Sequence, residues 1–247
     1  MGPRPPSTTS TSPTRPERSL RGLFVTGTDT GVGKTVVAAA ICAVLRARGE
    51  RVAAFKPVVT GLEEPPAPGW PHDHELLAAA SGAGDPERVA PHRFGPAASP
   101  HLAAQLAGER IDPASLVRAA RHAGDRADVL VVEGVGGLLV PIAADYAVAD
   151  LAVDLGFPLV VVARPGLGTI NHTLLTLEGA RARALRVAAV VMTPWPAEPS
   201  AVERSNRETV ERLGEVPVAV LGRIERGDPA LLAAAASRLP FDSWVGD

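Results

Sequence analysis

A lysine and a threonine behind a glycine-rich turn, Gly33-Lys34-Thr35 within LFVTGTDTGVGKTVV (residues 23–37), are residue types that grip a triphosphate. In the G-x-x-x-x-G-K-[ST] loop, backbone N–H groups at a helix start surround phosphate oxygens, the lysine reaches the outer phosphates and the hydroxyl holds Mg²⁺. Counting back from Gly33 puts Thr28 where the first glycine normally stands, with Gly27 one place earlier. The loop therefore carries one extra residue. Gly31 and Gly33 still allow the backbone to approach an anion closely.

Mg²⁺ takes further oxygen ligands, often carboxylates. DVLVVEGVGG (128–137) is an apolar run that ends on Glu133 and then glycines. Glu133 is read as a carboxylate facing the phosphates; the alternative is a strand-end charge kept for solubility. Asp73 in WPHDHELL is either a metal ligand or the N-cap of a helix, and the sequence leaves both open. His72 and His74 beside it read as loop histidines. AAFKPVVTG (53–61) places Lys56 in an apolar run, where an ammonium is costly unless it meets an anion or solvent. Its strand should lie near the one feeding the phosphate loop, so Lys34 and Lys56 are expected to converge. The alternative is a lysine snorkelling from the sheet edge. Thr60 and Gly61 follow. RPGLGTINHT (164–173) offers Gly166 and Gly168 before a helix and Asn171 in its first turn, either a second anion site or a plain glycine turn.

These residues sit in an alternating frame. Strands are expected at Leu23–Thr26, Val52–Val59, Val129–Glu133, Leu159–Ala163, Val187–Thr193 and Val218–Ile224. Helices are expected at Lys34–Arg48, Asp73–Ser81, Pro100–Ala107, Pro113–Ala123, Ala147–Leu155, Ile170–Ala184, Ala201–Leu213 and Pro229–Ser237. Several strands lack polar alternation, as strands buried on both faces do. The alternation predicts an α/β fold, a doubly wound, mostly parallel sheet with helices on both faces, of the P-loop NTPase kind. GGLLVPI (136–142) is expected to add a short strand beside the Val129 strand. Segments 61–72 and 84–99, rich in Pro and Gly, are read as loops.

The chain has 247 residues, of which 46% are hydrophobic, enough for a sizeable core. A net charge of −2 and 4% aromatic residues argue against nucleic acid or an anionic membrane as partner. With one cysteine, Cys42, no disulfide framework forms within the chain, which fits a reducing, cytoplasmic setting. No apolar run has the length of a membrane span. Residues 1–21 are rich in Ser, Thr, Pro and Arg and are read as a disordered leader; residues 22–247 are read as one domain.

Taken in order, VTGTDTGVGKT, KPVVTG, VEGVGGLLVP and LGTINHT resemble the dethiobiotin synthase family over residues 23 to about 225. That family shares the longer phosphate loop. The resemblance implies a homodimeric, ATP-dependent cyclo-ligase of biotin synthesis that closes 7,8-diaminononanoate and CO₂ into dethiobiotin through a carbamate and a carbamic-phosphoric anhydride. It implies Lys56 and Lys34 as catalytic cations, and Thr35, Asp73 and Glu133 as Mg²⁺ ligands. Gly31, Val32, Gly33, Lys34, Thr35 and Val36, with Glu133, Gly134, Val135 and Gly136, would lie along the nucleotide. Thr28 and Thr60 would contact the diamine or its carbamate. Gly168, Thr169, Ile170 and Asn171 would receive the substrate carboxylate across the dimer interface.

This chain departs from the family at the base. Many members carry an asparagine after the fifth strand; here VVMTPWPAEP puts Thr193 and Pro194 there. The base pocket is assigned to them and to Glu225, Arg226 and Gly227, and base preference stays open. Two other classes compete. Switch ATPases that position plasmids or septa, or serve maturation, carry a signature lysine early in the loop, where this chain has Asp29 and Thr30. Related ATP-dependent amide synthases carry a nucleophilic cysteine, whereas Cys42 falls inside the helix after the phosphate loop.

Overall fold

Along the central strands, neighbouring side chains enter opposite cores. Leu23 and Val25 face one helical layer and Phe24 the other; Val129 and Val131 oppose Leu130 and Val132 in the same way. This period of two, with apolar residues on both sides, makes a strand buried on both faces. The computed structural model describes residues 20–245, so the leader lies almost wholly outside the described residues.

The chain runs β1 (Arg21–Gly27), α1 (Lys34–Ala47), β2 (Val52–Phe55), β3 (Val58–Val59), α2 (Asp73–Ser81), α3 (Pro86–Val89), β4 (His92–Arg93), α4 (Pro100–Leu106) and α5 (Pro113–Gly124). It continues through β5 (Val129–Gly137), β6 (Pro141–Ala143), β7 (Tyr146–Ala147), α6 (Val148–Leu155), β8 (Leu159–Ala163) and α7 (Thr169–Arg181). It ends with β9 (Val187–Trp195), α8 (Ala201–Gly214), β10 (Val218–Gly222), α9 (Pro229–Ala236) and a 3₁₀ turn at Phe241–Ser243. Six strands form one parallel sheet in the order β10-β9-β8-β1-β5-β2. The expected doubly wound arrangement is present. Helices α1, α2 and α9 cover one face, where Ile41, Leu77 and Leu232 are fully buried. Helices α5 and α6 cover the other through Leu116 and Leu151, and α7 and α8 continue that layer through Leu177 and Val210. Each such side chain contributes about 1.5–3 kcal/mol relative to exposure. Among the described residues, no helix is long and apolar enough to cross a membrane.

Several boundaries differ from expectation, for identifiable reasons. Strand β1 starts at Arg21, which the sequence reading assigned to the leader; Arg21 pairs with Glu50, and Leu20 packs on the core. The strand expected over Val52–Val59 breaks at Lys56-Pro57. Proline has no N–H for a ladder, and the Lys56 N–H donates to the Val89 carbonyl at 2.8 Å instead. The chain then forms β3, which pairs with β4 in a small separate sheet. The segment 84–99, expected to be a loop, supplies both β4 and the short α3. Residues 136–142 do not add a strand beside Val129. Strand β5 itself continues to Gly137, and β6 turns back on β7 as an antiparallel hairpin. At the far edge, β10 ends at Gly222 rather than Ile224.

Candidate active site

The carboxyl ends of β1, β2 and β5 are adjacent, which is where ligands bind in open α/β sheets. β1 delivers the glycine loop. Gly31 and Gly33 hold left-handed φ angles of 70° and 96°, and Gly33 caps α1. That conformation suits glycine and leaves the first N–H groups of α1 facing outward for an anion. Lys34 begins the helix, is buried, and folds back so that Nζ donates to the Asp29 carbonyl at 2.9 Å. β2 ends one residue before Lys56. β5 carries Glu133, then Gly136 and Gly137, which pass so near the phosphate loop that a Cβ on Gly136 would lie 3.4 Å from Thr30 Oγ1.

At the centre is an ionic cluster. Lys56 Nζ lies 2.6 Å from Glu133 Oε1 and 2.7 Å from Asp73 Oδ2. The Thr35 hydroxyl donates to the same Glu133 oxygen at 2.9 Å. Glu133 is fully buried and Lys56 is 4% exposed. The solubility and snorkelling alternatives therefore do not apply. Asp73 is not the N-cap of α2 either: His72 takes that position, its N–H donating to Glu75 at 2.9 Å, and Asp73 turns its carboxylate to Lys56.

The charges are coupled. Burial opposes the positive charge on Lys56, but Asp73 and Glu133 overcome it and hold the ammonium above the ordinary lysine range. Burial pushes the Glu133 carboxyl up, with Lys56 pulling against it. At Asp73 burial also works upward, yet the attraction of Lys56 wins and the carboxyl lies below its usual value. Burial draws Lys34 down against the pull of Glu133. The two lysines are thus shifted in opposite directions, Lys56 upward and Lys34 downward.

Around this cluster is a cleft of about 760 Å³. It gathers Gly31, Gly33, Lys34, Thr35, Val36, Lys56, Thr60, Asp73, Glu133, Val135 and Gly136 from the sequence-derived set. Lys34 and Lys56 therefore converge on one cavity. Other members of the set lie behind or beside the wall. Val32 is buried in the core. Gly134 packs on the opposite face, where a Cβ would come within 2.8 Å of Val148. The Thr28 N–H donates to the Val162 carbonyl at 2.9 Å, tying the loop to β8. Thr193 is buried against Gly33, and Pro194 is exposed. The Glu225–Gly227 loop adjoins the wall, with the Gly227 N–H donating to the Gly69 carbonyl at 3.1 Å beside Trp70.

The start of α7 is not brought to this chain's cleft. Gly168 caps the helix with φ 87°, Thr169 is buried against Thr173, Ile170 packs on the core, and Asn171 is exposed. Sequence reasoning missed Arg164, whose Nη2 donates to the Thr30 and Gly31 carbonyls at 3.3 and 3.4 Å. It also missed Asn206, which holds the Pro165 and Gly166 carbonyls at 2.9 and 3.1 Å. The position of Arg164 just past a strand end was the available signal; Asn206, inside a polar helix, gave none.

Residues 21–230 match the AAA domain family. An ATP-dependent dethiobiotin synthetase BioD from Anaeromyxobacter dehalogenans strain 2CP-1 is 45% identical over 204 residues, 82% of this chain and 90% of its own length. The enzyme of that name from Bacillus licheniformis is 38% identical over 213 residues, 85% of this chain and 89% of its own. Among solved structures, the MinC:MinD cell division protein complex of Aquifex aeolicus aligns with a TM-score of 0.55 at 14% identity, over 88% of this chain and 95% of that one. A ParA family ATPase from Chlorobium tepidum TLS aligns with a TM-score of 0.52 at 12% identity, over 91% and 94%. At those identities the structural likeness establishes the P-loop NTPase fold alone. Sequence identity of this level across most of the chain places it in the ATP-dependent dethiobiotin synthetase family.

Proposed function

We propose that this chain closes the ureido ring of dethiobiotin from 7,8-diaminononanoate, CO₂ and ATP, as an ATP-dependent cyclo-ligase of biotin synthesis. The observation that carries the reading is the meeting of Lys34 and Lys56 in one cleft beside the phosphate loop. One substrate amine adds to CO₂ and loses a proton, leaving an anionic carbamate. A carbamate oxygen takes the γ-phosphoryl group of ATP, releasing ADP and forming a carbamic-phosphoric anhydride. The second amine attacks the carbonyl carbon and gives up a proton, and phosphate leaves as the ring closes. Two anions must approach each other, so preplaced cations in a water-poor site are the main requirement. Lys56 serves the carbamate; Lys34, swung from the Asp29 carbonyl, spans carbamate and γ-phosphate. Arg164 holds the loop carbonyls so that its N–H groups keep facing the phosphates.

Thr35, Asp73 and Glu133 would hold Mg²⁺, and the buried Glu133 Oε2, which has no hydrogen-bond partner, supports that donor set. The ion would neutralise charge on the triphosphate oxygens. The Gly168–Asn171 helix start is assigned to a neighbouring subunit's substrate carboxylate, a reading supported by the exposure of Gly168 and Asn171 and by Leu167 beside them, 90% exposed. The base would rest near Thr193, Pro194 and the Glu225–Gly227 loop. The test is phosphate release and product mass with MgATP. Bicarbonate and diaminononanoate together should raise phosphate release well above that with ATP alone and yield the ring. Release unaffected by the diamine would refute the assignment.

A further inference from the structure

Both carboxylates suited to Mg²⁺ are already engaged by an ammonium. Lys56 Nζ bridges Asp73 Oδ2 and Glu133 Oε1 at 2.7 and 2.6 Å, and Thr35 is bonded to that same Glu133 oxygen. The buried Lys34 lines the same cleft. A bare dication entering here either displaces Lys56 from its partners or sits on the remaining carboxylate oxygens a few ångströms from its charge. Both routes are opposed, because like charges at such separations repel, most of all around the buried Lys56 and Glu133. A metal–triphosphate complex meets no such barrier. It carries net negative charge, brings its own oxygens to complete the coordination shell, and gives both ammonium groups new anionic partners.

We propose that Lys56 makes the Thr35–Asp73–Glu133 site select the metal–triphosphate complex over the free cation. The inference rests on the metal-site reading above and goes beyond it, since Lys56 there serves only the carbamate. Selection has a mechanistic result. Lys56 stays paired within the protein until metal and nucleotide arrive together, and is then released toward the carbamate beside the γ-phosphate.

The experiment measures Mn²⁺ binding to the full chain by electron paramagnetic resonance, with and without a non-hydrolysable ATP analogue. In wild type, Mn²⁺ should bind weakly alone and tightly with the analogue. Lys56→Met should tighten free Mn²⁺ binding by about tenfold or more, because two carboxylates lose their nearest counter-charge. Lys56→Arg, which keeps the charge, should bind free Mn²⁺ as weakly as wild type. Lys56→Gln, which retains a donor to Glu133, guards against a folding defect in the methionine variant and should move in the same direction. Thermal unfolding gives a second readout: Mn²⁺ alone should raise the melting temperature of the uncharged variants more than that of wild type. Free Mn²⁺ binding that is unchanged or weaker in folded Lys56→Met and Lys56→Gln overturns the selection proposal and leaves the metal site standing. Wild type that binds no Mn²⁺ even with the analogue overturns the metal site itself, and the selection proposal with it.

Discussion

Thr35 and Glu133 are joined by a 2.9 Å hydrogen bond that ties the first turn of α1 to the middle of β5. Two distant segments thereby share one oxygen, Glu133 Oε1, which also receives Lys56. The phosphate loop, the carboxylate and the second lysine form one connected unit.

Lys56→Ala should reduce dethiobiotin formation by about 10²–10³-fold, the usual effect of deleting a preplaced charge at a developing anion. Affinity for a non-hydrolysable nucleotide should change little, because the loop backbone and Lys34 remain. Steady-state kinetics beside equilibrium nucleotide titration separates the two. Near-normal turnover would remove Lys56 from the chemistry.

If Asn171 serves the neighbouring subunit, Lys56→Ala and Asn171→Ala damage different contributions to each site. Mixing the two inactive variants under conditions of subunit exchange should restore activity that neither shows alone, since one site of each mixed dimer combines intact halves. A mixture as inactive as its components would place Asn171 outside a shared site.

Gly33→Ala should destabilise the chain and weaken nucleotide binding together. Gly33 holds φ 96°, and an added Cβ would approach Thr193 Cγ2 to 2.9 Å. The cost of a strained non-glycine residue is about 1–3 kcal/mol, readable as a lowered urea midpoint. Removing the methyl by Thr193→Ser in the same background should recover part of the loss and leave the φ strain.

Cys42 should be silent toward alkylating reagents in the folded protein. It is fully buried in α1, and burial pushes its thiol well above the normal range, so the reactive thiolate is suppressed even at mildly alkaline pH. Iodoacetamide labelling at pH 8, followed by mass spectrometry, should show modification only after denaturation. Fast native labelling would mean that α1 opens locally.

The sheet was legible because its strands are unbroken apolar runs. Leu159–Ala163 is the plainest, all five residues buried. The break after Phe55 was harder to read, since Pro57 removes a ladder donor without showing where the chain goes next. β3 and β4 are two-residue strands that pair with each other across a segment that contains α2 and α3, and nothing local in His92-Arg93 announces a partner. The glycine loop, Lys34 and Thr35 were legible because a contiguous motif carries them. The ion bridge from Lys56 to Asp73 was not, because it depends on the unpatterned segment 61–72 bringing α2 over the cleft. The start of α7 was legible as a glycine turn, but its position away from the cleft is a tertiary property. Residues 1–19, most of the expected leader, lie outside the described residues.

The place of β1 in the sheet has a consequence for synthesis. Arg21 pairs with Val129 on one side and Phe24 with Leu159 on the other, so this strand waits for partners encoded far downstream. A nascent chain emerging from the ribosome exposes that apolar strand, with the loop already attached, until residue 163 has appeared. Such long-range pairing slows folding and lengthens the aggregation-prone interval. Glu133, which shares the cleft with the loop, joins it only once β5 has paired with β1.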